Sequence, residues 1–165
     1  PASRGADLTG PAVAEGPPTL EGTRQGRIKL LWIFQHDLFD SALSAADVTA
    51  ALGGAEMVVF QGTNANATSA GAQLVLPSAA YVEREGTFTN FQGRVQRFRT
   101  VVEPLGEAMA DWQSLGRLGR ALGGTDPAFA ATRAEQVFAS LSGQIPAFSG
   151  MTYRGLADAG LVAKA

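Results

Sequence analysis

At 165 residues, with 45% hydrophobic content and a formal charge of −2, the chain can bury the core of one domain, and its near-neutrality excludes a broad nucleic-acid surface. It has no cysteine, so disulfides, thiolate zinc sites, cysteine-ligated iron–sulfur clusters and cysteine nucleophiles are excluded from it. A single histidine argues against a histidine metal site or a Ser–His triad. The absence of a membrane-length apolar run or a signal-peptide pattern points to a soluble domain.

Glycine and proline crowd the start, where Gly5, Gly10, Pro11, Gly16, Pro17, Pro18, Gly22 and Gly26 fall together. Residues 1–26 are therefore expected to be extended or loop chain, ahead of a domain over 27–165. Ile28–Phe34 is a short apolar run rich in β-branched and aromatic residues without clean alternation, the pattern of a buried parallel strand. Gln35-His36-Asp37 follows at its carboxyl end. Ser44 offers a helix N-cap, Ala45–Leu52 reads as helix, and Gly53-Gly54 closes it. Met57–Gln61 is a second buried strand, completing a βαβ unit with a parallel sheet.

Gly62–Gly71 is a small polar loop, and Asn66-Ala67-Thr68 within it matches a glycosylation sequon. Leu74-Val75-Leu76 reads as a third short strand stopped by Pro77. Thr87–Phe98, with Gly93 inside, reads as a strand or bulged hairpin. Beyond Pro104 the period becomes helical: Trp112, Leu115, Leu118 and Leu122 share one face, and Asp111 meets the helix dipole. Thr132 and Glu135 have capping-box spacing ahead of a helix burying Val137, Phe138 and Leu141, and Tyr153–Leu161 is expected to hold a final short helix. The fold class is α/β: a βαβ, Rossmann-like parallel core, a β-rich segment, and two or three C-terminal helices.

The most specific stretch is Gln73–Pro77, Glu83, Gly86-Thr87-Phe88-Thr89-Asn90 and Gly93-Arg94-Val95-Gln96, followed by Pro104, Gly106, Ala108 and Asp111-Trp112. In order and spacing it resembles a signature of molybdopterin oxidoreductases and of the large iron–sulfur subunit of NADH:quinone oxidoreductase, respiratory complex I. Ser3-Arg4-Gly5-Ala6 and Pro146–Tyr153 extend the likeness towards both ends. Gly93-Arg94 and the Gln61-Gly62 strand end are more similar to the complex I branch. That resemblance implies a scaffold or docking part of the complex I subunit. Its iron–sulfur clusters would lie in polypeptide absent here, and its partners would be the flavoprotein and iron–sulfur subunits of the hydrophilic arm. It further implies a cytoplasmic location peripheral to the inner membrane, without membrane insertion, nucleic-acid binding, catalytic residues or metal ligands in this chain.

The alternative is the cofactor-pocket part of a molybdopterin oxidoreductase such as a formate dehydrogenase. By resemblance, Thr89, Asn90 and Arg94 would then touch the pterin. The residues also admit plainer roles. Thr87, Thr89 and Asn90 can satisfy their own turn, and Arg84 can pair with Glu83 or Glu85 while Arg94, Arg97 and Arg99 face solvent or a partner. A further possibility is a small-ligand pocket at the strand ends, near Gln35–Asp37 and Gln61–Asn64.

Overall fold

The computed structural model describes residues 16–164. They form two compact units. One comprises the described part of Val13–Ala79 with Gly106–Ala108, the other Ala80–Leu105 with the described part of Met109–Ala165.

The first unit is built on a three-stranded parallel sheet, β1 (Leu30–Phe34), β2 (Met57–Gly62) and β3 (Leu74–Pro77), in the order β1-β2-β3. Leu31 lies opposite Val58 and Ile33 opposite Phe60, so these four side chains share one face. That face forms the core with Leu20 of helix α1 (Gly16–Arg24) and Val48, Ala51 and Leu52 of helix α2 (Ala45–Gly54). Ser44 caps α2, its hydroxyl accepting from the Asp47 N–H at 3.1 Å. At the other end of α2 a Cβ on Gly54 would come within 2.6 Å of the Thr23 carbonyl oxygen, so glycine is what lets α2 approach α1.

The expected extended stretch over residues 1–26 is thus corrected to helix at Gly16–Arg24, and residues 1–15 lie outside the described part. Two prolines in a first turn cost no intrahelical hydrogen bond. Leu20 then anchors the helix in the core, and the Thr23 hydroxyl donates to the Leu20 carbonyl at 2.7 Å.

The second unit is an antiparallel sheet with helices. Strands β4 (Gly86–Thr89) and β5 (Arg94–Phe98) form the expected hairpin, and β6 (Leu161–Val162) pairs with β5. Helix α4 spans Asp111–Ala121 and helix α5 Ala134–Gln144. Val95, Phe138, Phe148, Met151, Tyr153 and Leu156 make the core. Arg97 stacks on the Tyr153 ring, 4.1 Å from its centre. Burial holds the Tyr153 phenol above its ordinary value, with the charge of Glu85 adding to the effect.

Three expectations for this unit change. The leucine face of α4 is not its packed face: Leu115 and Leu122 are exposed, while Ser114 and Gly116 are buried. Phe129 lies so close that a Cβ on Gly119 would be 2.6 Å from its ring, so small residues define the contact. At α5 the capping acceptor is Gln136, not Glu135; its side-chain oxygen accepts from the Thr132 and Arg133 N–H groups at 2.7 and 3.2 Å. The expected helix over Tyr153–Leu161 is replaced by turns and β6. At Gly160, φ is +70° and a Cβ would lie 2.4 Å from the Val95 carbonyl oxygen, so backbone passes where no side chain fits and runs on into the sheet.

Arg84 pairs with neither glutamate beside it. Its guanidinium meets Asp111 at 2.5 Å, with side-chain exposures of 21% and 23%, joining the approach to β4 to the first turn of α4. Arg84→Met should lower unfolding free energy by about 2–3 kcal/mol, short of the about 3–5 for a fully buried pair, because a mostly buried charge-assisted contact to Asp111 is lost. Urea denaturation followed by tryptophan fluorescence in a Trp32→Phe background, which leaves Trp112 as the reporter, measures this; a midpoint unchanged from the parent would show the pair to be energetically idle.

Candidate functional site

Parallel α/β sheets bind ligands at the carboxyl ends of their strands, where loops diverge and peptide groups are left unpaired by the ladder. In the first unit that edge carries Gln35-His36-Asp37 after β1, residues 63–66 after β2 and Ser78 after β3. The apolar runs fix where each strand stops, and the next residues are delivered to the edge. Gln35 adopts a left-handed backbone, φ +55°, which turns the chain sharply out of the strand. Its side-chain amide donates to the Ser78 hydroxyl at 2.5 Å, tying the β1 loop to the β3 loop.

Asp37 is held more tightly than its sequence position suggests. Its carboxylate accepts the Thr68 hydroxyl at 2.7 Å and the Phe39 N–H at 3.1 Å, and the Thr68 oxygen accepts the Leu38 N–H at 2.7 Å. The Thr68 hydrogen bond, foremost, holds the carboxyl below its ordinary value of 3.8. Asp37 is therefore a fixed acceptor that organises the loop, poorly suited to take up a proton near neutrality. His36, its neighbour in the chain, and Thr63 after β2 are exposed. The short helix α3 (Ala67–Ala70) brings Thr68 in: Asn66 accepts from the Ser69 N–H and Ser69 accepts from the Asn66 N–H, both at 2.8 Å, a reciprocal cap. Thr68 and Ser78 are the residues sequence reasoning missed here. The only sequence signal was the polar cluster around 66–69.

In the second unit, Thr89, Asn90 and Arg94 lie together on the β4–β5 hairpin. Asn90 shapes the turn: its side-chain oxygen accepts from the N–H groups of Gln92 and Arg94, both at 2.9 Å, while Gly93 takes φ +76°. One Arg94 amino group donates to the Ala159 carbonyl at 3.2 Å and the Gly160 carbonyl at 3.5 Å, fastening the hairpin to the β6 approach. Its other donors remain for an anion. Arg97 donates to the Tyr153 carbonyl at 3.2 Å, and Arg99 reaches Asp158 only at 4.0 Å. The four arginines of this region thus serve separate contacts and do not converge.

A cavity of about 280 Å³ opens in the same unit, lined mainly by Thr87, Phe88, Phe98, Trp112, Phe138 and Tyr153 with the Arg84–Asp111 pair on its wall. Its lining comes from the β4–β5 hairpin, both helices of the unit and the turn at Tyr153, which is why no local pattern announced it. Among the described residues no group of three or more His, Cys, Asp or Glu could hold a metal ion.

Acidification tests the β1 loop. Asp37's contribution to stability is complete above its ordinary value and is lost as pH falls through the lower folded value, so the window lies below about pH 4. Thr68→Val should cost about 1–3 kcal/mol near neutrality, because the Leu38 N–H loses its acceptor, and should flatten the decline below about pH 4. Melting curves across that range decide it; an unaltered acid limb would remove Thr68 from control of Asp37.

Comparison with known proteins is consistent over most of the chain. The family model described as molybdopterin oxidoreductase matches residues 3–121. The F420-dependent formate dehydrogenase subunit alpha of Methanocaldococcus jannaschii is 35% identical over 129 residues, covering 78% of this chain and 19% of that protein. The F420-dependent formate dehydrogenase 1 subunit alpha of Methanococcus maripaludis is 30% identical over 135 residues, covering 82% and 20%. The chain spans about a fifth of the length of these curated relatives. Among solved structures, acetylene hydratase from Pelobacter acetylenicus superposes with a TM-score of 0.69 at 17% identity over 88% of this chain and 20% of that one, a likeness of fold. With its parallel α/β unit, its Gly-Thr-Phe-Thr-Asn hairpin and a family match across most of its length, the chain belongs to the molybdopterin oxidoreductase family.

Proposed function

We propose that this chain is a segment of a formate-dehydrogenase-type alpha subunit, framing part of a molybdopterin cavity and performing no turnover alone. The observation that carries this reading is the similarity to formate dehydrogenase alpha subunits across more than three quarters of the chain. The complex I reading rests on Gly93-Arg94 and Gln61-Gly62, two short matches, and the named relatives favour the other branch. No helix among the described residues is long and apolar enough to cross a membrane.

The donor set fits an anionic organic group better than a metal. Arg94 is pinned at one amino group and keeps donors free, Thr89 stands beside it on the hairpin, and Asn90 fixes the turn that presents both. Metal ligation would fall to polypeptide outside the described residues. When bound, the molybdopterin group would supply the two-electron redox chemistry. This chain's residues would contribute binding and orientation, with Arg94 offering its guanidinium to a phosphate.

Two measurements test the reading. Affinity recovery of the chain from its native cells, followed by metal and pterin analysis of the eluate, should yield molybdenum or tungsten with a pterin. Iron with flavoprotein subunits, and neither heavy metal, would establish the complex I branch instead. Arg94→Ala should also lower the pterin retained per recovered complex about tenfold, the scale of one charge-assisted contact, while Arg94→Lys retains an intermediate amount. Equal pterin in all three would confine Arg94 to fastening the hairpin.

A further inference from the structure

The cavity lined by the β4–β5 hairpin, α4, α5 and Tyr153 lies wholly within the second unit. Five aromatic residues line it, Phe88, Phe98, Trp112, Phe138 and Tyr153, and none of Thr89, Asn90 or Arg94 does. Its volume of about 280 Å³ has room for one or two fused rings, since about 150 Å³ of apolar space holds benzene. The walls are also braced by one another. Phe88 stacks on Phe98 with ring centres 4.5 Å apart, and Phe138 meets Tyr153 at 6.0 Å.

Two residues of this lining carry N–H groups left without an acceptor. Trp112 Nε1 and Arg84 Nε are both buried and meet no hydrogen-bond partner among the described residues. Buried donors are almost always paired, because an unmet one forfeits its hydration without compensation. Both of these are donors, so the missing partner is an acceptor. The Arg84 head is already neutralised by Asp111, so that acceptor need carry no charge. Glu85 lines the cavity as well and disfavours an anion there. Aromatic walls beside a carboxylate also attract cations, but a cation brings no acceptor to Trp112 or Arg84.

We infer that this cavity is a binding site for an uncharged planar molecule of one or two rings, bearing a carbonyl or ring-nitrogen acceptor at its edge. The aromatic side chains pack on the rings, and Trp112 and Arg84 recognise the acceptor. Because Nε1 is buried as the chain stands, binding includes a small turn of the indole that brings its N–H onto the acceptor. The site goes beyond the formate-dehydrogenase reading and does not depend on it, since every residue it uses belongs to this chain.

The test is a 1H–15N NMR titration of the full chain with coumarin, a two-ring carbonyl compound, and with naphthalene, its counterpart without an acceptor. The two indole N–H signals report separately, Trp112 from this unit and Trp32 from the other, and Trp32→Phe assigns them. Coumarin is expected to bind saturably, move the Trp112 signal downfield and leave Trp32 unmoved. It should bind about tenfold tighter than naphthalene. Trp112→Phe should erase most of that preference, and Phe88→Ala, at a position 55% exposed, should weaken both compounds about tenfold. No saturable shift at Trp112, or equal shifts at both indoles, would overturn the site. Tighter binding of N-methylquinolinium, a cation of the same shape, would overturn the uncharged class. A coumarin preference undiminished in Trp112→Phe would overturn recognition through the indole N–H.

Discussion

The parallel register of β1 with β2 and of β2 with β3 is the constraint from which the first unit follows. Once Leu31 is level with Val58 and Ile33 with Phe60, one side of the sheet must accept the helices, and every strand must end at the same edge. A slip of one residue would exchange the two faces along an entire strand. The register is secured at both ends. At the start of β2 the Val58 N–H donates to the Gln73 side-chain oxygen at 2.6 Å, and Gln73 N–H donates back to the Val58 carbonyl at 3.1 Å. At the far end the Gln35 amide holds the Ser78 hydroxyl.

The second unit reaches order by a different route. Its strands are short, and the contacts that hold it are mostly between elements far apart in sequence: Arg84 with Asp111, Arg94 with the carbonyls of 159 and 160, Arg97 with Tyr153. Here arginine serves as a fastener, its planar head satisfying carboxylate and carbonyl oxygens that a small core leaves at its margin. The residues whose types suggest ligand binding are therefore also structural. Any ligand would approach donors that the fold has already oriented, and orientation in advance is what makes binding by few contacts affordable.

Legibility in the sequence followed the range of the interactions. The three parallel strands, the Ser44 cap and the hairpin around Gly93 were readable because each is fixed by neighbours within a few residues: uninterrupted apolar runs, a hydroxyl before a helix, a glycine at a left-handed turn. The strand-end edge was readable for the same reason. The Thr68–Asp37 contact was not, since it needs α3 to fold back on the β1 loop. Nor was the packed face of α4, because hydropathy counts leucines, whereas the decisive partner, Phe129, arrives from a separate turn and requires glycine. β6 is two residues long and exists only by pairing with β5, so its own sequence carries almost no signal. The helix at Gly16–Arg24 was hidden by composition: two prolines and two glycines obscured a short helix that the core selects through Leu20.

The reciprocal cap between Asn66 and Ser69 bears on the sequon it overlaps. Oligosaccharide transfer needs the asparagine amide presented on an accessible loop, with the threonine two residues on within reach of the enzyme. Here the Asn66 oxygen accepts the Ser69 N–H, and fully buried Thr68 donates its hydroxyl to Asp37. A glycan would have to displace α3 and, with it, the support of the β1 loop. The folded chain is thus chemically closed to a modification its sequence advertises, and only the unfolded polypeptide would be a substrate for it.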